Sequence, residues 1–253
     1  MKNLLIVLSL FLAASSFAGS GYYVEFKISG QQGMAGVMKS WSQSGNSRSQ
    51  FQMNVPGMPE GISTASLFLE NNPTKYFTLN EKEKTYVEHD RQKSEEFKDD
   101  DAAGYEVVVV GKETVNGYAS THVKIRKKGS KTDMHWWVSK DLKYYSELKS
   151  MKGKYLNSKG MYAALAEKGV DGFPVRLKIE GKDEDANMQM DLVKAETMDI
   201  PASKFSLDGY TKSEAPAMNP MGGMDMEKIK NMTPEERQKM MEEVMKKYGQ
   251  DKK

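Results

Sequence analysis

The stretch from Tyr105 to Leu148, YEVVVVGKETVNGYASTHVKIRKKGSKTDMHWWVSKDLKYYSEL, leaves the chain little freedom. Its β-rich runs at 105–110, 118–126, 132–138 and 143–148 are separated by turn signals, among them Asn116-Gly117 and Lys128-Gly129-Ser130. Turns of this kind join antiparallel neighbours, so the stretch is expected to fold as a meander.

Two registers are open for the hairpin between the second and third runs. A turn at Lys128-Gly129 sets Val123 opposite Met134, Thr121 opposite Trp136, Ile125 opposite Thr132 and Lys124 opposite Asp133. A turn at Gly129-Ser130 sets Arg126 opposite Asp133 instead. Both leave the same residues on the same two faces, because side chains alternate along a strand with a period of two. Val123, Ile125, Met134 and Trp136 therefore share an inward apolar face, and Lys124, His122 and His135 face outward. The first register places the two histidines directly opposite each other; the second separates them.

The rest of the chain reads in the same way. Tyr22, Val24, Phe26 and Ile28 alternate with Tyr23, Glu25 and Lys27, the pattern of a half-buried strand. Further runs follow at 35–42, 47–53, 63–70, 74–79 and 84–88, with turns at Glu70–Thr74 and Asn80–Lys84. The prolines and glycines of Val55–Gly61 predict a loop. Residues 90–103 are polar and suit a short helix ending in an acidic linker, and Asp99-Asp100-Asp101 reads as a solvated turn, since consecutive side chains diverge. Ser158–Lys168 has helical composition, with Gly169 as its stop.

A last hairpin, FPVRLKIEG and ANMQMDLVK, pairs Ile179 with Met188, Leu177 with Met190 and Val175 with Leu192 on one face, and Arg176 with Asp191 on the other. Its turn begins like a calcium loop at Asp183. Met188, however, stands where that loop needs glycine, and Lys194 where it needs the bidentate glutamate. The segment IPASKFSLDGYTK closes the domain.

Lys2, the apolar run LLIVLSLFLAA and Ser16-Phe17-Ala18 together predict a signal peptide cleaved after Ala18. The run is shorter than the roughly 20 residues a bilayer needs, and no cysteine follows to carry a lipid. The expected mature protein is exported, periplasmic or secreted, and soluble, with no transmembrane anchor. The absence of cysteine also removes disulfides, thiol nucleophiles and thiolate ligands, so stability rests on a packed core. The 37 basic and 35 acidic residues are interspersed, which leaves no nucleic-acid footprint.

The expected domain order is a signal peptide at 1–18, a β-rich domain at 19–211, a Met/Pro/Gly linker at 212–232, an amphipathic helix at 233–248 and a disordered end at 249–253. Thr233 is placed to cap that helix, with Pro234 at its first position and Glu236 closing a capping box. Met240, Met241, Val244, Met245 and Tyr248 make one stripe. A helix of this length is marginal alone, so it needs a surface to lie on.

The pattern as a whole predicts a mainly β fold: a curved antiparallel sheet or open barrel with one or two short helices and a C-terminal amphipathic helical tail. The order of elements resembles the bacterial lipoprotein-carrier fold of LolA and LolB. The segments GYEVVVVGKETVNGYASTHVKI, MHWWVSKDLKYYSEL, GFPVRLKIEG and IPASKFSLDGY resemble, more narrowly, an exported bacterial family described as domain of unknown function 4412. The resemblance covers about residues 20–210 and implies a half-barrel whose concave, apolar face is covered by helices. It carries over no functional residue one by one.

Candidate chemistry is sparse. The histidines are His89, His122 and His135, and the chain shows no nucleophile elbow, zincin helix or phosphate loop, so no catalytic residue, enzyme activity or cofactor is expected. His122 and His135 read as exposed strand residues, two ligands alone being a poor zinc site. Met218, Met221, Met224 and Met226 have a spacing that suits Cu(I) held by thioethers, although methionine is used throughout the chain as adaptable packing. The stronger candidate is an apolar lining formed by Phe26, Phe51, Phe68, Tyr86, Val123, Ile125, Met134, Trp136, Leu177, Met188 and Met190. Such a lining suits a lipid or other amphiphile bound without covalent chemistry. A second expectation is an interaction module in which the methionine stripe of the tail helix docks on an envelope protein.

Overall fold

The computed structural model describes residues 19–30, 33–55, 58–91, 102–130, 132–142, 159–180 and 187–213. Within them twelve strands form one sheet: β1 (Gly19–Gly30), β2 (Ala35–Gln43), β3 (Asn46–Val55), β4 (Met58–Phe68), β5 (Lys75–Asn80), β6 (Thr85–Asp90), β7 (Tyr105–Val115), β8 (Tyr118–Lys127), β9 (Asp133–Ser139), β10 (Phe173–Glu180), β11 (Met188–Ile200) and β12 (Thr211–Lys212). Their order is β12-β6-β5-β4-β3-β2-β1-β11-β10-β9-β8-β7, so the curled sheet stays open, with β12 and β7 at its edges. All neighbours are antiparallel except β12 on β6. The expected mainly β, open and curved architecture is the one observed.

Two meanders build this sheet, and β1 joins them. β1 to β6 run outward from one edge of β1, while its other edge pairs with β11 from Gly19↔Ile200 to Gly30↔Met188. The tight turns follow the sequence: Ser44-Gly45 and Asn116-Gly117 each place two successive residues at positive φ, as a type I′ hairpin requires.

One open choice is decided and two local expectations need correction. The β8–β9 register sets Val123 opposite Trp136, Ile125 opposite Met134 and Thr121 opposite Val138, the second of the two alternatives, although the hydrogen-bonded turn runs from Lys127 to Ser130 with Gly129 at positive φ. The bidentate pair of Arg126 with Asp133, at 2.6 and 2.8 Å, locks that choice. The run 143–148, itself outside the described residues, is not the neighbour of β9: β9 has β8 on one side and β10 on the other. The loop expected at Val55–Gly61 is largely ladder, since Val55 pairs with Met58; a bulge near Met53 and a positive φ at Gly61 absorb the irregular composition.

The described residues contain one α-helix, α1 (Lys159–Glu167), within the span that the sequence suggests. Gly169 ends it at a positive φ of 69°; its N–H donates to Ala166 O and that of Val170 to Leu165 O, a Schellman closure. Met161, Ala164 and Leu165 lie on one stripe of α1 and pack into the main core with Val24, Phe26, Ile28, Val123, Ile125, Trp136, Phe173, Val175, Leu177, Met190 and Leu192. Tyr162 meets Trp136 edge-on at 5.8 Å. The inner face of the sheet is the one that receives α1.

The outer face of β1–β6 is closed by the chain that follows β11. After a 3-10 turn at Ala202–Phe205, this strap brings Phe205, Leu207 and Tyr210 onto Ala65, Leu67, Phe77 and Leu79, and ends as β12 on β6. Phe205 also packs with Tyr23, Trp41 and Ile200. Arg48, buried under the strap, donates to Lys204 O and Tyr210 Oη, both at 3.1 Å, and pairs with Glu81. The segment IPASKFSLDGYTK thus closes the domain as a clasp.

Candidate functional site

The strand registers divide the side chains cleanly. Positions opposite one another share a face, so Ile28 lines up with Gly36 and Met53; Phe26 with Met38, Phe51 and Thr64; and Val24 with Ser40, Ser49, Ser66, Thr78 and Val87. The same alternation across Met190, Leu177, Trp136 and Val123 continues the inner face to the other half of the sheet. Of the expected lining residues, Phe26, Phe51, Phe68, Val123, Ile125, Met134, Trp136, Leu177, Met188 and Met190 fall together on this face.

Tyr86 does not. It stands opposite Leu79, packs edge-on against Phe77 at 5.8 Å, and belongs to the outer cluster beneath the strap. In TYVEH both Tyr86 and Val87 are apolar and occupy opposite faces, so alternation alone could not choose between them. Met218, Met221, Met224 and Met226, like the signal segment and the tail helix, lie outside the described residues.

The inner face differs in its two halves. Around β7–β11 it is filled by α1, and Phe26, Val123, Ile125 and Trp136 are buried in that core. Around β2–β6 its strand positions carry no charged side chain, and the guanidinium of Arg91, just past β6, lies over the Phe68 ring at 5.5 Å. The described inward positions from Gly36 to Ser42, Ser47 to Met53, Thr64 to Phe68, Tyr76 to Asn80 and Thr85 to His89 hold no Asp, Glu, Lys or Arg. Phe51, Thr64, Ser66, Thr78 and Val87 are only half-buried there. Ser40, Ser49, Ser66 and Thr78 face one another across four strands as a stripe of hydroxyls, with Ser40 and Ser49 hydrogen-bonded at 2.9 Å. Charged side chains on these strands, such as Lys39, Arg48 and Lys75, point the other way.

Behind the filled half, the outer face carries a polar seam that sequence reasoning undervalued. His122 and His135 are diagonal neighbours in the observed register, yet they are neither separated nor exposed. His122 Nε2 lies 2.9 Å from His135 Nδ1, and both side chains are largely buried. Diagonal positions on adjacent strands remain within reach of long side chains, which is why the register shift did not part them. His122 stacks on Trp137 at 4.2 Å, and the Trp137 indole N–H donates to Glu113 at 2.6 Å. Arg176 covers Trp137 at 5.7 Å and is bonded to Asp191 at 2.6 Å. The sequence signal was present in the pairing of His122 with Trp137, which only this register creates.

The electrostatics of the seam are mixed. Burial, then the neighbouring His135, push His122 below the ordinary histidine value, against the pull of Glu113 and Glu180. The Arg126 hydrogen bond holds Asp133 down at about 2. The Lys178 hydrogen bond lowers Glu180, against a smaller opposing effect of burial. Among the described residues no group of three or more His, Cys, Asp or Glu side chains is placed to hold a metal ion. None of the described helices is long and apolar enough to cross a membrane.

No curated protein matches the chain. Among solved structures it is similar to an uncharacterized conserved protein from Thermus thermophilus, at 10% identity and a TM-score of 0.44, covering 78% of this chain and 93% of that one. It is similar to a chain in the complex of MucA and MucB from Pseudomonas aeruginosa, at 9% identity and a TM-score of 0.41, covering 75% of this chain and 56% of that one. It is similar also to a putative outer membrane lipoprotein-sorting protein domain from Vibrio parahaemolyticus, at 12% identity and a TM-score of 0.32, covering 74% and 89% of the two chains. Residues 21–209 match one family over most of the chain, the one described as Domain of unknown function (DUF4412), and the protein belongs to it.

Proposed function

We propose that this protein is a non-enzymatic binding protein of the cell envelope that holds a lipid or other amphiphile against the inner face of β2–β6. The observation that carries this reading is that the described inward positions of β2–β6 hold no Asp, Glu, Lys or Arg, with Arg91 reaching Phe68 only from beyond the end of β6, while Phe51, Thr64, Ser66 and Thr78 stay half-buried beside a filled core. Lys39, Arg48, Lys75 and Glu88 occupy the opposite face of the same strands, so the lack of charge at the half-buried inward positions belongs to the face and not to the strands. An acyl or other apolar chain seated there gives a reason for it, since an unpaired charge against such a chain carries a desolvation cost. The signal segment read from the sequence supports placement outside the cytoplasm.

The test is uptake of a fluorescent fatty acid by the mature protein, together with mass spectrometry of lipid carried through purification. Phe51→Asp, which puts a charge at the centre of the face, is expected to weaken uptake roughly tenfold or more while circular dichroism stays unchanged. Protein isolated from its own compartment without lipid, combined with no uptake of the probe, would sink the proposal.

A further inference from the structure

The two histidines of the outer seam point at each other almost along the line joining their rings. Their centroids lie 5.2 Å apart and the facing nitrogens 2.9 Å apart, and a ring nitrogen stands only about 1.2 Å from its ring centre. This is the geometry of a straight N–H···N hydrogen bond. Two ring nitrogens bound to one tetrahedral zinc at about 2.0–2.1 Å would stand about 3.3 Å apart, with their lone pairs bent off that line. The gap is therefore built for a proton.

The outward nitrogen of each ring meets a carboxylate: His122 Nδ1 lies 3.6 Å from Glu113 Oε1, and His135 Nε2 lies 3.3 Å from Glu180 Oε2. The chain of groups reads Glu113, His122, His135, Glu180, and it spans β7, β8, β9 and β10. Three protons suit it, one on each outward nitrogen at ion-pair distance from its carboxylate and one hydrogen-bonded between the rings. A fourth places two N–H groups head to head, and the rings must part. The other charged groups facing the pair are Lys124 of β8, Asp133 of β9, and Lys178 and Arg176 of β10. Lys124 is held by Asp133 at 3.2 Å, Lys178 by Glu180 at 2.5 Å and Arg176 by Asp191 at 2.6 Å. None of these cations is a base that could relieve the extra proton.

We propose that His122 and His135 form an acid-sensitive latch across the β8–β9 seam, which holds one shared proton when closed and opens on full protonation, loosening the packed core behind it, a core that continues through Phe26 and Met38 to Phe51 on the binding half. The mechanical link is strand alternation. His122 adjoins Val123, His135 lies between Met134 and Trp136, and those three inner residues belong to or pack on the main core under α1. The effect on a ligand rests on the binding role proposed above; the titration of the latch does not.

The sign follows from the position of His122. A histidine held below its ordinary value binds fewer protons folded than unfolded. Its contribution to stability is complete above the ordinary histidine value and is lost as pH falls from there through its lowered folded value.

Two measurements test the proposal. In ligand-free protein, proton NMR of the histidine rings is expected to show His122 and His135 titrating in two coupled steps, with Trp137 fluorescence changing at the lower one. Two independent curves at the ordinary histidine value, with Trp137 unchanged, would overturn the latch. With N-phenyl-1-naphthylamine as the apolar probe, affinity is expected to fall roughly tenfold across the lower step, a common size for coupling between two sites. The double variant His122→Gln/His135→Gln is expected to bind the probe at neutral pH and to lose this dependence. Binding that ignores pH in the unmodified protein overturns the coupling, whereas no binding at any pH overturns the ligand role and leaves the NMR result to decide the latch.

Discussion

Arg48→Ala is expected to lower the stability of the domain by about 3 kcal/mol or more, the usual consequence of removing one partner from a buried ion pair. For a domain of this size that corresponds to a melting point about 6–12 °C lower. The loss is large because Arg48 serves three acceptors at once: Glu81, the Tyr210 hydroxyl and the Lys204 carbonyl. Burial opposes ionisation of Glu81, yet the Tyr210 hydrogen bond and the Arg48 charge together outweigh it and hold the carboxyl below its ordinary range. Such a group stabilises the fold above the unfolded carboxylate value and loses that contribution as pH falls through its lowered folded value. The acid limb of the stability profile should therefore flatten in Arg48→Ala. Arg48→Lys is expected to recover less than half of the loss, because an ammonium lacks the planar fork that reaches separated acceptors. Urea unfolding of the three proteins, at neutral and at acidic pH, gives both answers. Equal stability of Arg48→Ala and the unmodified protein would show that the strap closes without its anchor.

Phe26→Ala is expected to cost about 3–5 kcal/mol. Phe26 is fully buried, meets Phe173 at 6.2 Å and sits where β1 joins the two halves of the sheet. Phe51, two strands away in the same row, is half-buried, and Phe51→Ala should cost much less. The contrast separates core from binding face. Equal losses for the two substitutions would mean that β3 is as tightly packed as β1, and that the inner face has no room for a guest.

What the sequence disclosed depended on how far apart the interacting residues are. The β10–β11 hairpin was legible because Leu177 with Met190 and Arg176 with Asp191 agree on one register from opposite faces. Asn116-Gly117 named its own turn. The pairing of β1 with β11 was not legible, since nothing in Tyr22–Ile28 specifies a partner at the other end of the domain. For the same reason β10, not the run at 143–148, took the place beside β9. The inner lining was mostly legible from alternation and failed at Tyr86, where two adjacent apolar residues left the period ambiguous. The histidine pair was misread for a subtler reason: register was used to ask which residues are opposite, whereas the contact is diagonal.

The double attachment of β1 also orders the assembly of the protein in time. One edge of β1 pairs with β2, the next strand to be synthesised, and the other waits for β11. A chain growing from its N-terminus can complete the β1–β6 meander early, but it carries an open strand edge until nearly the whole domain has been made. Closing that edge spans a long loop, so it should set the slow step of folding. During that interval the β11 of a second molecule fits the same edge equally well. Domain-swapped dimers exchanged at this joint, formed when folding is crowded and absent when it is dilute, are the characteristic failure this topology invites.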